Sequence, residues 1–326
     1  ADEPVWNGDN YVTAFSLTVG EATYEAVVHD GRITVDVPYD ASLDGAEVHY
    51  ELCEHASIHP DPATIRDWSQ EWQFLVSSYG QSDRTYIYTV NRTDVATGGS
   101  LTLRTQAEVD AFAASRINVV EGNLTIGVEG GEAIVNLDGL AGLVSVRCDL
   151  TVTNAYRGED LAGLAGLRRC ESLCIGSAGA PNETLKRIEL PALREVAGDL
   201  QLCGTAVRSV VFAALQRVDG AFAVGSDALA EIVADELESV GGDMRLAGST
   251  GNAAKAPCEQ MYFPELQRVG GELSVARFGK LGQLATTFGA LASVGSIAYE
   301  ELALTASCEF PLIETVGAVA LTDCPA

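Results

Sequence analysis

Basic residues are scarce in this chain: 20 Lys and Arg stand against 46 Asp and Glu, a formal net charge of −26 over 326 residues. Such a surface repels phosphate backbones and anionic headgroups, and no basic stripe interrupts it. Nucleic acid and direct membrane-surface binding are therefore excluded. No run of about 18 apolar residues occurs, so no membrane-spanning helix is expected. The first residues, Ala1-Asp2-Glu3-Pro4, lack the charged and then apolar stretch of a secretion signal, and the chain reads as soluble and mature, or trimmed.

Cysteine is sparse as well. Eight are present, far below the density of a disulfide scaffold, with no Cys-x-x-Cys pair and no Cys/His grid of zinc spacing. All four histidines (His29, His49, His55, His59) and all three tryptophans (Trp6, Trp68, Trp72) precede residue 100. Beyond that point Ser-His-Asp and Cys-His catalysis are excluded, and neither G-x-S-x-G nor a phosphate-cradling glycine loop occurs anywhere. The break in composition divides the chain into a module over residues 1–92, a polar, glycine-rich linker over 93–100, expected to flex, and a second module over 101–326.

In the first module, alternation runs through Thr13–Val19, Tyr24–Val28, Ile33–Val37, Val48–Leu52, Trp72–Val76 and Thr85–Val90, punctuated by Gly, Asp and Pro. Short strands at this spacing predict an antiparallel β-sandwich, with Trp68 and Trp72 in its core. Asp40, Ser42, Asp44, Gly45 and Glu51 fall at EF-hand ligand positions, but strands rather than helices flank them. A hairpin turn using Asp and Gly is the preferred reading over calcium. His55 and His59 are four apart, yet Pro60 and Pro62 disfavour a helix, so both are read as loop or surface residues.

The second module begins with a short strand, Leu101–Arg104, and a Thr105-x-x-Glu108 capping box that opens a helix through about Ala114. A repeat follows. Its Leu/Ile positions are Ile117, Leu143, Leu167, Leu193, Leu215, Leu237, Leu266, Leu291 and Ile313. Three residues after each stand Val120, Val146, Cys170, Val196, Val218, Val240, Val269, Val294 and Val316, with glycine two further on at Gly122, Gly198, Gly220, Gly242 and Gly271. Pairs two apart, such as Leu200/Leu202 and Phe222/Val224, direct one face of a strand inward. The glycine permits a corner that a Cβ would obstruct. A second inward set, Leu185/Ile188/Leu190 and its counterparts, implies at least two parallel sheets per coil. The predicted fold is thus mainly β, a sandwich followed by a solenoid of about nine coils whose first coil the amphipathic helix caps. The register places Cys170 and Cys258 in the core, and likewise Cys308. Cys148, Cys174, Cys203 and Cys324 fall at corners or faces, where one inter-coil disulfide is open. Three coils, at Cys170, Val294 and Val316, are one residue short, and local distortion is expected there.

The "LxxVxGxLxV" coil resembles the receptor L-domain form of leucine-rich repeat, and Thr105 to Gly127 resembles the start of such domains in bacterial surface lipoproteins. The stretch Tyr50 to Val76 is similar to the immunoglobulin-like modules that precede repeats in surface lipoproteins of Gram-negative gut-type bacteria, although Cys53 is alone here and no Cys…Trp…Cys pattern exists. The resemblance implies a right-handed solenoid and an extracytoplasmic recognition or adhesion protein. It is expected to be anchored at the outer membrane through a lipidated cysteine just before Ala1 and exposed at the cell surface.

Chemistry is not indicated. Arg168, Arg169, Arg194, Arg217 and Arg268 follow the coil anchors beside Glu195, Glu238 and Glu314, as alternating solvated charge on an outer face does. No cofactor and no metal is expected. The excursions Asn154–Asp160, Gly176–Thr184 and Ala247–Pro257 are the candidate binding segments, with Tyr156, Arg157, Ser249, Thr250, Asn252 and Lys255 as candidate ligand-binding residues. The expected function is binding of a protein, peptide or glycan by a monomer. A polysaccharide-active solenoid enzyme and a spacer without ligand are the alternatives.

Overall fold

The computed structural model describes residues 8–39, 41–249, 255–279, 287–302 and 310–324. Two compact units emerge, 1–95 and 96–326. Part of the expected linker is not free: Ala96 bridges Val119, Thr97 N–H donates to the Val119 carbonyl at 3.0 Å, and the Gly99 carbonyl accepts from Gly122 N–H at 3.3 Å. These residues lie on the first coil because its edge otherwise leaves backbone groups without partners.

The first unit is one seven-stranded sheet: β1 (Val12–Val19), β2 (Ala22–His29), β3 (Arg32–Pro38), β4 (Glu47–Leu52), β5 (Ser57–His59), β6 (Trp72–Ser77) and β7 (Asp83–Thr93), in spatial order β4-β1-β2-β3-β7-β6-β5. All six alternating segments are strands. β5 escaped the sequence reading because three residues show no period. The pairing departs from a purely antiparallel pattern, since β3 runs parallel to β7. The first half of β2 pairs with β1 and its second half with β3, so the sheet passes from one face of the core to the other. Phe15 on β1 thereby meets Trp68, Phe74 and Tyr88 at centroid distances of 5.5, 6.4 and 5.8 Å. Trp68 is fully buried, whereas Trp72 is half-buried and donates its indole N–H to the Asp67 carbonyl.

The second unit is a β-solenoid. Val120, Val146, Cys170, Val196, Val218, Val240, Val269, Val294 and Val316 form one unbroken parallel ladder, each paired with the next. Nine rungs enclose about eight turns. A second row of inward residues runs beside it, Leu124, Leu150, Leu173, Leu200, Phe222, Met244 and Leu273, all buried. The other wall is a four-stranded parallel sheet of Arg187–Glu189, Ser209–Val211, Glu231–Val233 and Gln260–Tyr262, with Ile188, Val210, Ile232 and Met261 inward. The one-residue departure at Val294 is absorbed as a bulge between Val269 and Glu272.

The glycines serve a different need from left-handed backbone: none of Gly122, Gly198, Gly220, Gly242 or Gly271 has positive φ. Each touches the preceding coil instead. A Cβ on Gly220 would lie 2.7 Å from the Gly198 carbonyl, and one on Gly242 would lie 3.0 Å from that of Gly220. At the solenoid's start, α1 (Gln106–Ser115) buries Val109 and Phe112. Thr105 Oγ1 accepts from Glu108 N–H at 3.1 Å, and the Glu108 carboxylate reaches back to Arg104 N–H rather than to Thr105.

Candidate ligand-binding groove

Alternation that sends Leu200, Leu202, Phe222, Val224, Met244 and Leu246 into the core sends their neighbours outward. Register then sets Cys174, Gln201, Ala223 and Arg245 in one outward row, and Cys203, Gly225 and Ala247 in the next. Ala223 between Gln201 and Arg245, and Gly225 between Cys203 and Ala247, leave a notch of about 200 Å³. One wall is the excursion after Ile175, which contributes Gly176, Ser177 and Ala178.

That wall is held by Asn182, which is fully buried. Its amide donates to the carbonyls of Thr153 and Tyr156 at 3.2 and 3.0 Å, and its carbonyl accepts from Thr184 and Leu185 N–H at 3.1 and 2.9 Å. The sequence reading missed this residue. A single Asn between Pro181 and Glu183 carries no periodic signal, and only the tertiary fold buries it.

The two thiols by the groove are not activated. Burial pushes the pKa of Cys174 up, with Asp149 adding to it, and burial with Asp227 and Cys174 does the same to Cys203. Both therefore stay protonated at neutral pH and are poor nucleophiles. Cys53, Cys148, Cys170, Cys174, Cys203, Cys258 and Cys324 are all free, and Cys308 lies outside the described residues. Arg245 reaches Asp243 at 2.7 Å. On the neighbouring face the arginines form a ladder with acids: Arg169 and Arg217 both contact Glu195, and Arg217 lies 3.0 Å from Asp219. Among the described residues no three His, Cys, Asp or Glu side chains converge as a metal site. Ser42 and Asp44 form a tight turn, Gly45 has φ +67°, and Glu51 sits on β4, while Asp40 lies outside the described residues.

The candidate ligand-binding residues are scattered. Tyr156 is a core residue: its hydroxyl donates to the Asp160 carbonyl at 2.6 Å, and burial drives its pKa upward. The side chain that looked like a loop aromatic fills the space under its own excursion, with no ring face left for a ligand. Arg157 is exposed and folds back onto the Asn154 carbonyl. Ser249 is buried, and exposed Lys255 donates to the Glu301 carbonyl at 2.7 Å, two coils further on. Thr250 and Asn252 lie outside the described residues. A second hollow, of about 170 Å³, is lined by Asp160, Arg187 and Glu189, and the Arg187–Asp160 pair at 3.0 Å occupies its rim.

No protein-family model and no curated protein matches the chain. A solved structure from Bacteroides thetaiotaomicron, provisionally described as a glycoside hydrolase, is 21% identical over 30% of this chain and 29% of its own, with a TM-score of 0.25. Likeness of that extent establishes neither a shared fold nor an activity for this chain.

Proposed function

We propose that the protein is a non-enzymatic recognition module that binds a protein or peptide ligand along the outer face of its solenoid, at the Ala223 and Gly225 notch. In this reading the solenoid is a leucine-rich repeat of the receptor L-domain kind, preceded by an immunoglobulin-like module. The protein is anchored outside the cytoplasm and exposed at the cell surface. The observation that carries the proposal is the groove itself. Small outward residues allow a ligand backbone to approach the sheet, and Gln201 and Arg245 supply hydrogen bonds at its rim. Its thiols are protonated, its cation is paired with an acid, and no aromatic platform for a sugar ring lines it.

The test is a screen of the intact protein against peptide, host-protein and glycan arrays, repeated with Ala223→Trp, which fills the notch. A protein or peptide hit lost in Ala223→Trp supports the proposal. A hit that survives the substitution moves the site elsewhere, and release of reducing ends from a polysaccharide would make the protein an enzyme.

A further inference from the structure

The surroundings of the notch carry a charge as well as a shape. Along the strand Phe222–Ser226 and its two flanking residues, Ala221, Ala223, Gly225 and Asp227 are partly exposed in turn, while Phe222, Val224 and Ser226 are buried between them. A carboxylate stands at each end of this floor. At one end Asp199, exposed on the preceding coil, accepts from Ala221 N–H at 2.7 Å through Oδ1, which carries its charge across to the floor strand two residues before Ala223. At the other end stands Asp227. Burial raises the Cys203 thiol on the notch wall and the charge of Asp227 raises it further, so that charge is felt inside the notch. Arg245 is the one cation among the described residues that line the notch, and Asp243 neutralises it at 2.7 Å. The charge left over is negative, on a molecule of net charge −26.

We propose that the notch takes a basic peptide: an extended segment that lays one aliphatic side chain over Ala223 and Gly225 and sets a Lys or Arg, two residues to either side, against Asp199 and Asp227. The inference rests on the notch being the ligand site. Charge complementarity selects the occupant. A basic segment is drawn in by the field of the whole molecule and meets a carboxylate at each end of the floor, whereas an acidic one would have to displace Asp243 from Arg245 and come to rest beside Asp199. Spacing selects the pattern. Ala221 and Asp227 lie three residues to either side of Val224, at the middle of the floor. In an extended ligand, residues two apart share a face at about 6.6 Å, and the long stems of Lys and Arg cover the remaining distance. The pattern basic-x-aliphatic-x-basic reads the same in both directions, so it suits either orientation of the ligand chain. The small floor residues Ala223, Gly225 and Ala247 let the ligand approach the sheet, and a notch of about 200 Å³ has room for the aliphatic side chain.

Titration calorimetry of the intact protein with three blocked peptides, Lys-Ser-Leu-Ser-Lys and its counterparts with Gln or Glu in place of both Lys, tests this. The lysine peptide is expected to bind roughly tenfold more tightly than the glutamine peptide, as two exposed ion pairs supply, and the glutamate peptide more weakly still. The lysine advantage should shrink between about 50 and 300 mM salt. Asp199→Asn retains the oxygen that accepts from Ala221 N–H and should weaken the lysine peptide several-fold while leaving the glutamine peptide unchanged, and Ala223→Trp should abolish binding of both. Equal affinity for the lysine and glutamine peptides, or preference for the glutamate peptide, with either lost in Ala223→Trp, would overturn the charge inference and keep the notch as the site. Lysine-peptide binding that survives Ala223→Trp would overturn both, as diffuse attraction to an acidic body. No binding of the lysine peptide up to about 1 mM would overturn the basic pattern, and peptide hits without it that are lost in Ala223→Trp would show that the notch itself stands.

Discussion

Cys170 stands where eight other coils place Val or a close equivalent, and the structure buries it completely in that ladder. Burial pushes its thiol up to about 12, and that of Cys258 likewise to about 12. A thiol raised in the folded state above its ordinary value of 9.0 favours folding below that value and loses its contribution as pH rises toward the folded value. Stability should therefore fall between about pH 9 and 12, by at most about 1.4 kcal/mol per pH unit for each thiol. Urea unfolding at stepped pH checks this, and Cys170→Val with Cys258→Val should flatten the slope. Trp68 makes a different prediction. Its indole N–H is buried without an acceptor among the described residues, so Trp68→Phe loses no hydrogen bond and should cost less than about 1.5 kcal/mol, against about 3–5 for Trp68→Ala. The role of Cys170 was legible because its neighbours in the repeat define it. Tyr156 and Asn182 belong to no period, and their burial follows from where an excursion folds back.

At the level of elements, the glycine at each coil corner is a packing residue. In Gly220→Ala the new methyl would meet Gly198 backbone at 2.7 Å, which rearrangement of a side chain cannot relieve. A loss of about 1–3 kcal/mol is expected. Gly142→Ala, with open space around the Cβ and no positive φ, should be neutral or slightly stabilising, by up to about 1 kcal/mol. Thermal denaturation of the two variants separates contact from backbone entropy. Thr105→Ala removes the oxygen that accepts from Glu108 N–H and should cost about 1 kcal/mol, read as earlier fraying of α1 by hydrogen exchange. Both features were visible as sequence motifs. The glycine spacing signalled a corner, but the left-handed turn that glycine often serves is not what happens here; coil-to-coil distance is the constraint, and only stacked coils reveal it.

As a whole, the molecule has two cores that share no residue, one around Phe15, Trp68 and Tyr88 and one along the coil ladder. Calorimetry should resolve separate transitions, and Trp68→Ala should lower one while leaving the other in place. The solenoid was readable from sequence because each coil repeats one short constraint, apolar residues at fixed spacing, and a repeat states its contacts with its neighbours each time it recurs. The acidic charge balance and the confinement of all four histidines to the first 100 residues are likewise read without any structure. What only the tertiary structure decided is everything that depends on contacts between segments without a shared period. The crossing of β2 between two halves of a sheet depends on which strands find each other across the core. The groove depends on which small residues fall side by side in adjacent coils.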